Sequence, residues 1–165
     1  MSNATPTRHF DIRVQATPFD PAAEQDALRR DSTRIGAMVA FVGQMRDFAE
    51  DGPVHAMTLE HYPGMTERAL AAIARAAAAR WVLDGIRIVH RVGRLLPGEP
   101  IVLVAVTSHH RGEAFRACEF LIDYLKTRAP FWKREETATG ARWVTARDSD
   151  AEAAAQWEPA RTDPD

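Results

Sequence analysis

Phe10, Ile12 and Val14 stand on one side of residues 8–15 (RHFDIRVQ), an alternation that predicts a half-buried strand. A helix is expected next, with Asp20 as its cap and Pro21 in its first turn, where a missing amide hydrogen leaves nothing unsatisfied. Residues 35–45 (IGAMVAFVGQM) are almost continuously apolar and contain two glycines. That pattern predicts a buried strand running out into the loop RDFAEDG. Residues 54–61 (VHAMTLEH) alternate again and form a further expected strand. Pro63 and Gly64 then turn the chain into a helix over 65–81, where Leu70, Ile73, Ala74, Ala77 and Trp81 recur at helical spacing. Abundant alanine favours that helix. Strands are expected at 86–92 (IRIVHRV) and 100–108 (PIVLVAVTS), with LLPGE as the turn between them.

The clearest helix covers residues 111–128, where Ala114, Phe115, Cys118, Leu121, Ile122 and Leu125 make an apolar stripe. Pro130 ends it, because proline cannot continue the hydrogen-bond ladder and pushes Ala129 out of helical geometry. FWKREE and ARWVT, separated by a polar stretch with Gly140, predict a closing hairpin, and a short helix over 149–157 follows. Strands and helices mix without regular βαβ alternation, so the expected class is α+β. Residues 1–7 and 158–165 are polar and proline-bearing and are expected to be disordered tails around one domain spanning 8–157.

Composition narrows the functional classes. A chain of 165 residues with 45% apolar content has enough for a core without metal or disulfide staples, although 29 residues are alanine. The 21 basic and 23 acidic residues nearly balance, which disfavours a wholesale polyanion binder. Of the 21, nineteen are arginine and only Lys126 and Lys133 are lysine. An ammonium can lose its proton and act as nucleophile, acid or base, whereas a guanidinium cannot, so two lysines seven residues apart in one basic run are candidates for proton-exchanging chemistry. The single cysteine, Cys118, excludes an internal disulfide framework. No signal peptide and no membrane-spanning run is evident, and a cytoplasmic protein is expected.

Dinucleotide, triphosphate and serine hydrolase motifs are absent, as is any metal motif, and His61, His90, His109 and His110 are scattered. Neither a cofactor nor a metal is expected. The segment KTRAPFWKR (126–134) carries four positive charges and no carboxylate across a helix end, a proline break and a strand start. Lys126 and Arg128 are also what the helix dipole favours at a C-terminus, whereas Lys133 lies beyond the break between Phe131 and Trp132. Two ammonium groups close together in a partly apolar pocket would depress each other's pKa. The same mixture of cations and aromatics suits single-stranded nucleic acid. Ser108, His109, His110 and Arg111 stand where a strand gives way to a helix start, a place that either binds an anion or simply caps the helix. Arg46, directly after the apolar strand, either joins that surface or is a loop arginine. Cys118 falls on the apolar stripe and reads as a buried structural thiol.

LEHYPGMTERAL (59–70), HRVGRLLPGEPIVLVAVTSHHRGEAF (90–115), DYLKTRAPFWKRE (123–135) and RWVTARDSD (142–150) together resemble the large, catalytic subunits of molybdopterin synthase, the MoaE family, over about residues 8–157. The resemblance implies an α/β-hammerhead type fold with an additional small β hairpin. It also implies a homodimer that carries a small ubiquitin-like MoaD-type sulfur-carrier subunit at each end, a heterotetramer in all. The carrier's C-terminal thiocarboxylate would enter a pocket of this chain and deliver two sulfurs to cyclic pyranopterin monophosphate (precursor Z). By the same likeness Lys126 and Lys133 correspond to essential lysines, and Arg46, His110 and Arg111 to contacts with the substrate phosphate, partly from across the dimer. Gln44, Met45, Arg134 and Glu135 correspond to further substrate-binding positions; the family often carries lysine where this chain has Gln44.

A sulfur transferase whose one cysteine is buried must receive its sulfur from another protein, and a thiocarboxylated tail meets that need. Lys126 is then expected to stabilise charge at the acyl carbon or engage it, and Lys133 to move protons, with the two roles exchangeable. The rival reading is a non-catalytic module whose basic surface holds RNA or an acidic protein. Near-neutral charge and the Glu135–Glu136 pair weaken a continuous phosphate track, so neither nucleic acid nor membrane is expected as a partner.

Overall fold

The computed structural model describes residues 9–159. In chain order it runs β1 (His9–Gln15), α1 (Pro21–Arg29), β2 (Ala37–Gln44), β3 (Phe48–Ala49), β4 (Gly52–Pro53), β5 (Ala56–His61), α2 (Met65–Arg80), β6 (Gly85–Arg91), β7 (Gly93–Leu95), β8 (Pro100–Ser108), α3 (Arg111–Arg128), β9 (Phe131–Thr137), β10 (Gly140–Val144) and α4 (Asp148–Ala155). A first sheet has the order β1-β6-β8-β2, with β1 parallel to β6 and the other pairs antiparallel. A second, antiparallel sheet has the order β10-β9-β5-β7, and β3 and β4 form a two-residue hairpin. The fold is α+β, as the element pattern predicts.

The main core lies where α2 and α3 cover one face of the first sheet. Leu70, Ile73 and Ala77 of α2 and Ala117, Phe120 and Leu121 of α3 pack there against Ile86, Ile88, Val104 and Val106. On the other face α1 lays Leu28 against Val89, Leu103 and Ala105. Asp20 caps α1 by accepting from the amides of Ala22 (2.9 Å) and Ala23 (3.4 Å), with Pro21 opening the helix as expected. Arg87, only 7% exposed, ties α1 to the sheet. It pairs with Asp11 at 3.1 Å and with Glu24 at 2.9 Å, and donates to the Glu24 carbonyl at 3.0 Å.

Two close approaches orient the elements that frame the site. A Cβ on Gly36 would lie 2.1 Å from the His109 carbonyl oxygen, so only glycine lets the start of β2 pass the approach to α3. Gly64 takes φ 82° at the entry of α2, and its amide donates to Glu67 Oε2 at 2.6 Å. Two residues on, Thr66 Oγ1 donates to the Pro130 carbonyl at 3.1 Å, fixing the break between α3 and β9.

Several expectations are corrected. The apolar strand over 35–45 is not buried: β2 is an edge strand, with Ala40 and Phe41 exposed, because no strand among the described residues pairs with its outer side. RDFAEDG is not only a loop, since it supplies β3 and part of the small hairpin. LLPGE is not all turn: its first residue, the fully buried Leu95, closes a short strand, β7. Phe115 stands 62% exposed, and the buried side of α3 instead runs through Ala114, Ala117, Cys118, Phe120, Leu121, Tyr124 and Leu125. The expected N-terminal tail lies outside the described residues, as does all but the first two residues of the C-terminal one.

Candidate active site

Between the end of α3, the inner face of β9 and the exit of β2 the chain leaves a cavity of about 620 Å³. β2 and its exit contribute Phe41, Gln44, Met45 and Arg46; α3 contributes Ile122, Leu125 and Lys126; β9 contributes Phe131, Lys133 and Glu135. Pro130 stops α3 one residue before β9 begins, so the helix end that carries Lys126 and the strand that carries Lys133 converge. Alternation along β9 does the rest. Phe131, Lys133 and Glu135 face the cavity, while Trp132 and Arg134 lie on the opposite side of the sheet. There Arg134 stands 5.9 Å over the Trp143 ring, and its buried Nε has no hydrogen-bond partner.

Lys133 is the perturbed group. Burial pushes its pKa below the ordinary lysine value, and repulsion from Lys126 and Arg147 adds in the same direction, against the opposing pull of Glu135. Glu135 is 7% exposed and held from both sides, with Oε1 3.7 Å from Lys133 Nζ and Oε2 3.3 Å from an Arg142 nitrogen. Arg142 is held in turn by Asp51 at 2.6 Å. Lys126 is exposed at the cavity rim.

Sequence reasoning missed two cavity residues. His90 lies on the floor, 5% exposed, with its ring stacked on Phe131 at 3.8 Å and its Nδ1 2.8 Å from the Arg91 carbonyl. A carbonyl only accepts, so Nδ1 carries the proton in the neutral ring. Burial lowers its pKa to about 4, with the nearby Lys126 and His61 adding to the fall. Alternation with Ile86 and Ile88 was the available signal, since it puts His90 on the α3 side of the sheet. Arg147, which follows β10, lines the wall opposite β2, and its guanidinium has no acidic partner among the described residues. Nothing local in the sequence points to it.

The cluster at the other end of α3 is separate. Arg111 and Lys126 are fifteen residues apart on one helix, roughly 22 Å along its axis. Ser108 Oγ donates to the Val82 carbonyl at 2.8 Å and lies 3.3 Å from both Glu113 Oε2 and the His110 amide, tying the approach of α3 to the neighbouring loop, while no side chain at His110 caps the helix. His109 faces Asp84 at 3.4 Å. His110 and Arg111 are exposed. Gln44, Met45, Arg46, Lys126, Lys133 and Glu135 thus share one cavity, whereas His110, Arg111 and Arg134 do not reach it within one chain.

Cys118 is buried in the core, 3.7 Å from the Val104 carbonyl oxygen, and burial pushes its thiol up to about 11. It is not a nucleophile at neutral pH. Among the described residues no group of three His, Cys, Asp or Glu side chains is placed to hold a metal, and no helix is long and apolar enough to cross a membrane. The cavity therefore offers cations, one depressed lysine and aromatic walls, and no thiol among its lining residues.

Residues 14–128 match the family described as "MoaE protein". Over 147 residues the chain is 58% identical to the molybdopterin synthase catalytic subunit of Pseudomonas aeruginosa, covering 89% of this chain and 98% of that one. It is 57% identical to the subunit of the same name from Escherichia coli K12, over 88% of this chain and 97% of that one. Among solved structures, the molybdopterin biosynthesis MoaE protein from Burkholderia ambifaria superposes with a TM-score of 0.76 at 55% identity, covering 89% of this chain and 97% of that one.

Proposed function

The chain belongs to the MoaE family of molybdopterin synthase catalytic subunits, sulfurtransferases that act with a MoaD-type partner in molybdenum cofactor biosynthesis; from that premise we propose that its cavity binds cyclic pyranopterin monophosphate and passes two sulfurs to it from the partner's thiocarboxylated C-terminus. The observation that carries this reading is Lys133, an amine with a depressed pKa facing a cavity that also holds Lys126, Arg46 and Arg147. Lys126, at the rim, meets the incoming tail and stabilises negative charge as its acyl carbon is attacked. Lys133, deeper and more easily deprotonated, moves protons as the pterin ring opens and takes up sulfur. Arg46 and Arg147 hold the substrate's phosphate as fixed charges, a task that suits guanidinium. Buried Cys118 supports delivery of sulfur from outside the chain.

His110 and Arg111 enter the site from a second copy. Their distance from Lys126 within one chain calls for a partner, and the exposed apolar edge of β2, with Phe41 38% exposed, supplies a surface for pairing. A homodimer with one carrier subunit at each end follows, working in the cytoplasm.

Changing Lys126 or Lys133 to arginine keeps the charge and removes a readily exchangeable proton. Each substitution is expected to reduce sulfur transfer by a factor of about 100 or more. Near-normal transfer by the Lys133→Arg variant refutes the proton-transfer role.

A further inference from the structure

The cavity wall opposite β2 is made by the C-terminal segment. Val144, Thr145, Ala146, Arg147, Ser149 and Asp150 all line it, and they lie between β10, an edge strand, and the first turn of α4. Within the connection the Asp150 amide donates locally to the Arg147 carbonyl at 3.1 Å. Firm attachment comes at the far end of α4. The Trp157 indole N–H donates to Asp123 Oδ2 at 2.7 Å, and the Gln156 side-chain amide donates to the same oxygen at 3.1 Å. The Trp157 ring meets Trp81 and Phe120 edge-on, with centroids 5.7 and 5.6 Å away. Beside it Glu158 pairs with Arg128, whose guanidinium lies 3.8 Å over the Tyr124 ring. Asp123 precedes Lys126 by three residues on α3, so the latch and the rim lysine share one turn of helix.

We infer that Trp157 and Asp123 are positioning residues: by pinning the far end of α4 to α3 they hold Arg147 over the cavity, and affinity for the anionic substrate depends on that anchor. The inference rests on the proposed reading of the cavity. An arginine without an acidic partner among the described residues, on a connection held upstream by the pairing of Val144 with Lys133 and downstream by the docked end of α4, keeps its place only as well as both ends do. A loosened α4 lets Arg147 withdraw into water, where its charge is screened. Ground-state binding suffers more than the chemical step, because the lysines stand on α3 and β9.

The test uses the complete synthase with its thiocarboxylated carrier and cyclic pyranopterin monophosphate. Trp157→Phe keeps an aromatic ring in the core and removes the indole N–H; Asp123→Ala removes the acceptor. Each is expected to raise KM for the pyranopterin roughly fivefold, as one partly exposed charged contact is weakened, with kcat within about twofold of the parent. In an Arg147→Ala background the same changes are expected to add nothing further, since residues acting through one contact are not additive. A thermal melt of each variant separates a loosened latch from global loss of stability. Equal KM effects with and without Arg147, or unchanged KM in both latch variants, overturn the inference. Activity lost in Lys133→Arg with no KM effect in Arg147→Ala also overturns it while leaving the catalytic reading standing, whereas full activity in Lys133→Arg overturns both.

Discussion

Among the described residues Glu135 is the carboxylate that pairs with Lys133, and replacing it with glutamine should move the lysine's titration in a direction set by sign alone. Removing a negative charge 3.7 Å from Nζ makes the ammonium less favourable, so the Lys133 pKa falls further. At 3.7 Å a pair of unit charges is worth about 1 kcal/mol in bulk water and about 4.5 kcal/mol at an effective dielectric of 20. The Lys133 side chain is 38% exposed, so the lower end applies after screening: roughly 1 to 2 kcal/mol. Glutamine still accepts from Arg142, which limits the damage to the β9–β10 pairing. If Lys133 works as the neutral amine, the rising limb of kcat/KM against pH should shift to lower pH in Glu135→Gln. A limb that stays put, or moves to higher pH, refutes the assignment of that limb to Lys133.

His90 makes stability depend on pH. Its folded pKa of about 4 lies below the unfolded value of 6.5, so the folded state favours the neutral ring. That contribution is complete above pH 6.5 and is lost as pH falls towards 4, a change of roughly 3 kcal/mol. Denaturant titrations should show this slope in the parent and not in His90→Phe, and an equal slope in both contradicts it. Arg87→Ala leaves Asp11 and Glu24 to the more exposed Arg13 alone and removes the tie to the Glu24 carbonyl, and is expected to cost about 1 to 3 kcal/mol in unfolding experiments. Because Arg87 braces α1 on the face away from the cavity, kcat should not change, and a lost kcat would show coupling across the sheet. For the dimer, mixing inactive Lys126→Ala and Arg111→Ala proteins should restore part of the activity through mixed dimers; no recovery after subunit exchange counts against a shared site.

Local signals carried much of this reading. Helix α3 and its stop at Pro130 follow from apolar spacing and proline stereochemistry, and the inward turn of Lys133 follows from alternation along β9. What escaped was set by long-range placement. β2 looks like an interior strand because its apolar content is high, and only the sheet order shows that it lies at an edge. Phe115 belongs to the apolar stripe by spacing, yet the first sheet covers a narrower arc of α3 than the stripe spans. Arg147 reaches Lys133 through a hairpin and a docked helix, contacts without any periodic trace in the chain. Arg134, next to Lys133 in sequence, illustrates the converse: adjacency along a strand puts it on the other face. The nineteen-to-two bias towards arginine pointed at both lysines, although it said nothing of which one the cavity perturbs.

The most direct test follows sulfur itself. The purified chain is combined with a carrier protein whose C-terminal thiocarboxylate bears labelled sulfur and with cyclic pyranopterin monophosphate, and the pterin product is analysed for label. A dithiolene carrying two labelled sulfurs is expected from the parent and from Cys118→Ser, and almost none from Lys133→Arg. A labelled dithiolene formed at the parental rate by Lys133→Arg, or transfer abolished in a folded Cys118→Ser, would contradict it.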